Sequence, residues 1–193
     1  MNENGKIVIE LSPKANNKRN SEGAFLKTKN GLMYIYTGFI GKEPARDYTY
    51  ANLYSIFSKD GENFSEPKLV FEASSFNAMN IMSVSLLRMK DMSIALFFLV
   101  RKNFYNTQPY VALSYDEGRT FSVLRACTNR KSYFVMNNDR VIRLPSGRII
   151  LPLAEHVAIE SSNHKPAFHP GTVTYMYSDD ECKSFKESKM QLS

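Results

Sequence analysis

Apolar residues fall in short runs, each cut by a polar turn, and no stretch sustains the helical period of 3.6. Three stretches repeat one another: residues 25–36, 86–97 and 141–152. Each predicts a short apolar strand, a basic residue, a tight turn and a longer apolar strand. A second pattern follows each of them. In its fullest form it reads Ser114, Asp116, Gly118, Thr120, Phe121, directly after the strand-like residues 110–113. Short Ser and Asp side chains bond nearby backbone amides, Gly takes positive φ without strain, and the aromatic residue anchors the turn. Ser58, Asp60 and Phe64 form the same turn one residue shorter. Ser178, Asp180 and Phe185 form it at full length, with Cys182 in the place of Gly118.

The turn serines are 56 and 64 residues apart, a spacing that calls for a repeat architecture. One unit is about four strands. The chain therefore reads as all-β, a partial β-propeller of about three four-stranded blades, forming a single incomplete domain over residues 1–193. Between the repeats, residues 6–11 predict an edge strand and residues 12–22 a polar loop. Residues 38–49 and 102–108 read as loops, residues 67–71 as the start of an outer strand, and residues 172–177 as a strand. A loop over residues 155–171 carries all three histidines, His156, His164 and His169.

Composition narrows the function classes. The formal charge of +6 comes from basic residues spread through the turns, without a long run. That distribution speaks against nucleic acid and fits a solvated surface or a site for a small anion. The longest apolar run, residues 94–100, is too short to span a membrane. Cys127 and Cys182 have no metal-ligand spacing and form no disulfide framework, so two free thiols are expected. No cofactor or metal is expected. With no signal-peptide pattern at the N-terminus, a cytoplasmic location is the default expectation.

The turn at Ser114, Asp116, Gly118 and Phe121 resembles the Asp-box, and the chain resembles the sialidase and Asp-box repeat superfamily. That resemblance implies the N-terminal half of a six-bladed, glycoside hydrolase-like propeller. It implies little about activity, because non-enzymatic propellers carry the same turns away from the catalytic face. Family sialidases hold the substrate carboxylate with three arginines, use an aspartate as acid/base and use a glutamate-activated tyrosine as nucleophile. The resemblance places Arg19 as the first arginine and Asp47 as the acid/base residue. A guanidinium suits a bidentate carboxylate clamp, and an aspartate donates a proton where its surroundings raise its pKa. Glu22 reads as a rim carboxylate that holds Arg19 in position. Arg140, beside Asp139, repeats the rim position of Arg19, and His156 ends a strand on the same rim; both are candidates for substrate contact, and Arg101 ranks below them.

The resemblance places the nucleophile, its glutamate partner and two further arginines beyond Ser193. Two functions stay open. One is an exo-sialidase-like glycoside hydrolase fragment that acts on terminal acidic sugars when complete. The other is a non-catalytic propeller that binds glycan or protein, or an inactive truncated remnant. A half propeller leaves open blade edges, so self-association is a further expectation.

Overall fold

The structure, a computed structural model, describes residues 5–42, 45–159, 167–168 and 170–189. The first blade is an antiparallel sheet of β1 (Asn17–Thr28), β2 (Gly31–Ile40), β3 (Ala51–Ser58) and β4 (Lys68–Phe71), in that order. A 3-10 turn, Ala73–Phe76, leads into β5 (Asn80–Arg88), β6 (Ile94–Asn103), β7 (Asn106–Ser114) and β8 (Ser122–Ala126), which form the second blade. After β9 (Tyr133–Val135), the third blade begins with β10 (Ile142–Arg143) and β11 (Ile149–His156). A small ribbon of β12 (Ala158–Ile159) and β13 (Ala167–Phe168) follows, and β14 (Thr172–Ser178) and β15 (Lys186–Glu187) complete the blade. β9 pairs antiparallel with β11 and touches β7 in parallel at Thr107, which joins the second and third blades into one nine-stranded sheet.

The repeated stretches are equivalent hairpins. Phe25 pairs with Tyr34, Leu86 with Leu96, and Ile142 with Ile150. β6 explains how the blades stack. Its run from Ile94 to Arg101 is buried throughout. Ile94, Leu96 and Phe98 join a core with Met33, Ile35 and Leu53 of the first blade. Ala95, Phe97 and Leu99 join a second core with Ile149, Leu151 and Leu153 of the third. Strand alternation thus sends one apolar run into two seams.

Several boundaries differ from the sequence reading. Residues 6–11 form no strand, and β1 starts at Asn17, inside the predicted polar loop. Residues 102–108 are mostly strand, because β6 and β7 close tightly at Asn103 and Asn106. β2 runs on to Ile40 and β11 to His156, and β8 and β9 carried no clear sequence signal. The missed strand ends share one reason. Backbone pairing needs no apolar side chain, so polar strand ends at the blade rims escape a pattern built on hydrophobicity.

The three serine–aspartate turns close alike. Ser58, Ser114 and Ser178 Oγ accept the amides of Gly61, Gly118 and Cys182 at 2.8, 2.8 and 2.9 Å. Each serine donates to the aspartate two residues on, at 3.0, 2.8 and 2.8 Å. The aspartate then accepts the amide of Asn63, Thr120 or Ser184. All three residues after the aspartate corner have positive φ: Gly61 79°, Gly118 82° and Cys182 67°. Phe64 forms a bridge back to Ser58, and Phe121 and Phe185 pack against the two cores.

A clasp repeats at both seams. The Glu117 carboxylate receives two Arg88 bonds of 2.9 Å from its own blade and the Lys29 amide of the preceding blade at 3.0 Å. Glu181 is held by Arg143 of its own blade and accepts the Lys90 amide of the preceding blade at 3.2 Å. Bidentate charged pairs of this kind fix geometry as well as adding energy. Both cysteines are free and buried; burial raises the Cys182 thiol to about 12. Among the described residues no helix is long and apolar enough to cross a membrane.

The turns should make the fold acid-sensitive. Partial burial raises the Asp116 carboxyl, but the Thr120 hydroxyl and amide and the Ser114 hydroxyl outweigh it and hold it at about 2. The Ser184 hydroxyl and amide hold Asp180 at about 2, and Asn63 draws Asp60 below its usual value. A depressed folded-state pKa stabilises fully above the unfolded carboxylate, near about 4, and that stabilisation is lost as pH falls through the folded value. Urea midpoints should therefore hold from pH 7 to 5 and fall between about pH 4 and 2. D116N should lower the midpoint at pH 7 and flatten the acid limb; an unchanged limb would remove the turns as its source. At Gly118 an added Cβ would lie 2.3 Å from Met33 Sδ at φ 82°. G118A should cost about 1–3 kcal/mol in urea denaturation.

Candidate functional site

The inner ends of the three blades meet at one mouth. β1 carries a bulge between Ser21 and Ala24, and β5 one between Met82 and Ser85. Each bulge holds a left-handed non-glycine residue, Glu22 at φ 58° and Ser83 at φ 60°, and Asp139 at φ 55° stands ahead of β10. Such residues cost of order 1–3 kcal/mol each and persist where contacts over-determine them. Here the contacts run between blades. The Ser83 hydroxyl donates to Glu22 Oε2 at 3.1 Å, the Asp139 amide to the Val84 carbonyl at 2.8 Å, and Asn138 Nδ2 to the Gly23 carbonyl at 3.3 Å.

Arg19 is the centre of the mouth. Its Nη2 donates to Glu22 Oε1 at 2.8 Å, its Nη1 to Asp47 Oδ1 at 2.7 Å, and its Nε to Ser21 Oγ at 2.9 Å. The guanidinium lies 4.4 Å from the centroid of Phe39, its cross-strand partner on β2. The two carboxylates differ in setting. Asp47 is 67% exposed, whereas Glu22 is 19% exposed. Burial raises the Glu22 pKa; Ser83 and Arg19 oppose the rise and Asp47 adds to it.

The loop that carries Asp47 is pinned from beneath. Asn80 Nδ2 donates to the Asp47 carbonyl at 2.7 Å and to the Thr49 carbonyl at 3.1 Å. Arg101, buried at the end of β6, donates through Nη1 to the same Asp47 carbonyl and lies 5.3 Å from the Tyr133 ring centroid. Arg101 Nε and Asn80 Oδ1 are buried without a hydrogen-bond partner among the described residues. A cavity of about 270 Å³ opens here, with Glu22, Asp47, Ser83, Arg101, Tyr133 and Asn138 on a floor of Met82, Leu99 and Met136.

The sequence-predicted residues divide at this point. Arg19, Glu22 and Asp47 come together. Arg19, Arg140 and His156 do not line the cavity, but Arg19 pairs with Glu22 and Asp47, which do. The Arg140 amide binds Ser85 Oγ at 3.0 Å, and His156 sits behind Tyr133, ring centroids 6.4 Å apart, and over Gly171. His164 and His169 lie outside the described residues. Among the described residues no group of three or more His, Cys, Asp or Glu side chains is placed to hold a metal. Tyr133, Ser83 and Asn80 escaped the sequence reading. Asn80 and Tyr133 lie in weakly patterned stretches, Ser83 sits at a bulge that no pattern marks, and only β9 pairing brings Tyr133 to the mouth. Two larger clefts, of about 440 and 510 Å³, lie elsewhere, one under residues 9–14 and one among the turns at Ser58 and Glu117. Neither is lined by Glu22, Asp47 or Arg101, so the charged mouth is the stronger candidate.

This arrangement of blades has known counterparts. The chain matches the Trypanosoma rangeli sialidase solved with sialic acid, at TM-score 0.64 and 12% identity, over 91% of this chain and 31% of that one. It matches the Bombyx mori GH32 β-fructofuranosidase at TM-score 0.66 and 16% identity, over 94% of this chain and 38% of that one. A Dyadobacter fermentans protein of unknown function matches at TM-score 0.63 and 16% identity, over 91% of this chain and 55% of that one. This chain has the fold of a sialidase-like propeller fragment. It spans between about a third and about half of these neighbours. The fold is thus shared by proteins titled as differently as a sialidase and a β-fructofuranosidase. No protein-family model matches the sequence, and no curated protein matches it.

Arg19 and Asp47 act in opposite directions on the Glu22 carboxyl. The Glu22 carboxyl should titrate above the ordinary glutamate value of about 4.3. D47N, which removes a neighbouring negative charge, should lower its midpoint; R19A, which removes a positive one, should raise it. Carboxyl ¹³C NMR in the labelled protein measures both. Shifts of the same sign in the two variants would rule out this charge arrangement.

Proposed function

We propose that the mouth binds a terminal acidic sugar, with Arg19 as the clamp for its carboxylate and Asp47 as the proton donor of an exo-sialidase-like glycoside hydrolase. One observation carries the reading: the Arg19 fork is held rigid by Ser21, Glu22 and the Phe39 ring, while its remaining arm meets the exposed Asp47. A ligand carboxylate that takes the Nη1 arm replaces Asp47 there. The displaced carboxyl then stands beside the sugar, still anchored through its backbone carbonyl by Asn80 and Arg101. Preorganised guanidinium forks suit this exchange, since one charge-assisted pair replaces another. Tyr133 and the apolar floor offer surface for the sugar ring. The likeness in fold to a sialidase solved with sialic acid supports an acidic sugar, and the likeness to a β-fructofuranosidase supports the wider class, carbohydrate.

A second reading has its own support. Glu22 and Asp47 are both tied to one guanidinium, which suits binding better than turnover. Retaining hydrolysis needs a protonating group and a separate nucleophile on the sugar. The 193-residue chain is therefore expected to bind an acidic sugar with little or no turnover of a fluorogenic sialoside.

Titration with methyl α-sialoside, followed by saturation-transfer NMR, tests the clamp. R19A should weaken binding at least about tenfold, a loss of about 1.4 kcal/mol. D47N should bind as tightly as the parent or several-fold tighter, because it frees the Nη1 arm from a competing charge. The methyl ester of the same sugar should not bind. Unchanged affinity in R19A would end the proposal.

A further inference from the structure

Arg19, Arg88, Arg130, Arg143 and Arg148 each pair with a carboxylate. Arg101 is more deeply buried than any of these, at 6% exposure, and forms no ion pair among the described residues. A guanidinium stays charged at ordinary pH and offers five N–H donors and no acceptor. The one hydrogen bond described for this guanidinium runs from Nη1 to the Asp47 carbonyl, a neutral group. The Tyr133 ring covers it at 5.3 Å, and Nε has no hydrogen-bond partner among the described residues. Arg101 lines the cavity of the mouth. Glu22 and Asp47 line it too, but their carboxylates are both committed to Arg19. A buried positive charge therefore stands at the mouth without a counter-charge of its own.

The strand register widens the observation. Asn80 pairs with Arg101, Arg101 with Thr107, and Thr107 with Tyr133, so the four residues form one cross-strand row. Asn80 and Thr107 are fully buried, and Asn80 Oδ1 and Thr107 Oγ1 lack hydrogen-bond partners among the described residues, as Arg101 Nε does. Buried polar groups are bonded as a rule, so three exceptions in one row mark a place where something polar belongs. Asn80 Oδ1 is an acceptor and adds nothing to an anion's shell. The Thr107 hydroxyl can turn its proton toward one. A water molecule would answer the hydrogen bonds and leave the charge; an anion answers both. The cavity, about 270 Å³, lies just below the range of about 300–1,000 Å³ that drug-sized ligands fill, so it suits one small group.

We propose that Arg101 is the centre of an anion site in the mouth, with Thr107 as a second donor, and that the site takes one small monovalent anion, a halide or a carboxylate. The bound anion neutralises the guanidinium that anchors the Asp47 loop. The site is separate from the Arg19 clamp and fills without the sugar.

The test uses the full 193-residue chain with no sugar present, so its outcome is independent of the sialoside titration. The ³⁵Cl NMR line of sodium chloride should broaden with the parent protein, and acetate, standing in for a carboxylate, should narrow it again by competition. R101Q should weaken chloride binding at least about tenfold. In urea denaturation, chloride should raise the midpoint of the parent by mass action and raise that of R101Q less. If R101Q fails to fold by circular dichroism, T107D takes its place. That variant sets a carboxylate beside the guanidinium from the next strand, and it should fold without taking up chloride. Equal ³⁵Cl lines in the parent and the folded variant, or a line that acetate does not narrow, would overturn the proposal.

Discussion

The arrangement depends on one strand with no solvent-facing side. β6 is buried on both faces, and its alternate residues serve two different cores. A strand of that kind is stable only between two layers, because leaving either face wet would expose several large apolar side chains at about 1.5–3 kcal/mol each. Stacking blades on both sides of β6 is the solution the fold adopts. Everything at the mouth follows from that stacking, since it brings the ends of β1, β5 and β9 together.

Polar contacts then set the angle and depth at which the blades meet. The Glu117 and Glu181 clasps sit on the turn side of the unit, and the Ser83–Glu22 and Asp139–Val84 bonds sit at the mouth. Each seam is thereby fixed at both ends. Ion pairs on a surface contribute little, but a bidentate pair that also accepts a backbone amide from another blade restricts geometry. That restriction matters chemically. Arg19 keeps one arm on Glu22, and Glu22 is held by a hydroxyl from the second blade.

The mouth is an unusual electrostatic neighbourhood for so small a cavity. Its lining gathers Arg101, Glu22 and Asp47 with methionine and leucine, and Arg19, beside it, pairs with both carboxylates. The carboxylates are divided by environment, one exposed and one largely covered, and the covered one has the raised pKa.

Repetition was legible in the linear chain, and through it the blades, their hairpins and the three serine–aspartate turns. Those features are local: a turn needs a serine, an aspartate and a residue tolerant of positive φ within a few positions. Arg19 and Asp47 were legible as candidates, but not their contact, which joins residues 28 apart through a loop pinned by Asn80 and Arg101. Tyr133 and Ser83 were invisible, and Arg140 and His156 looked nearer to the mouth than they are. Only the folded chain could decide these, because strand ends converge through bulges and inter-blade bonds that leave no period in the sequence. Local hydrogen bonding wrote the blades into the order of residues; the distances between blades were left to packing.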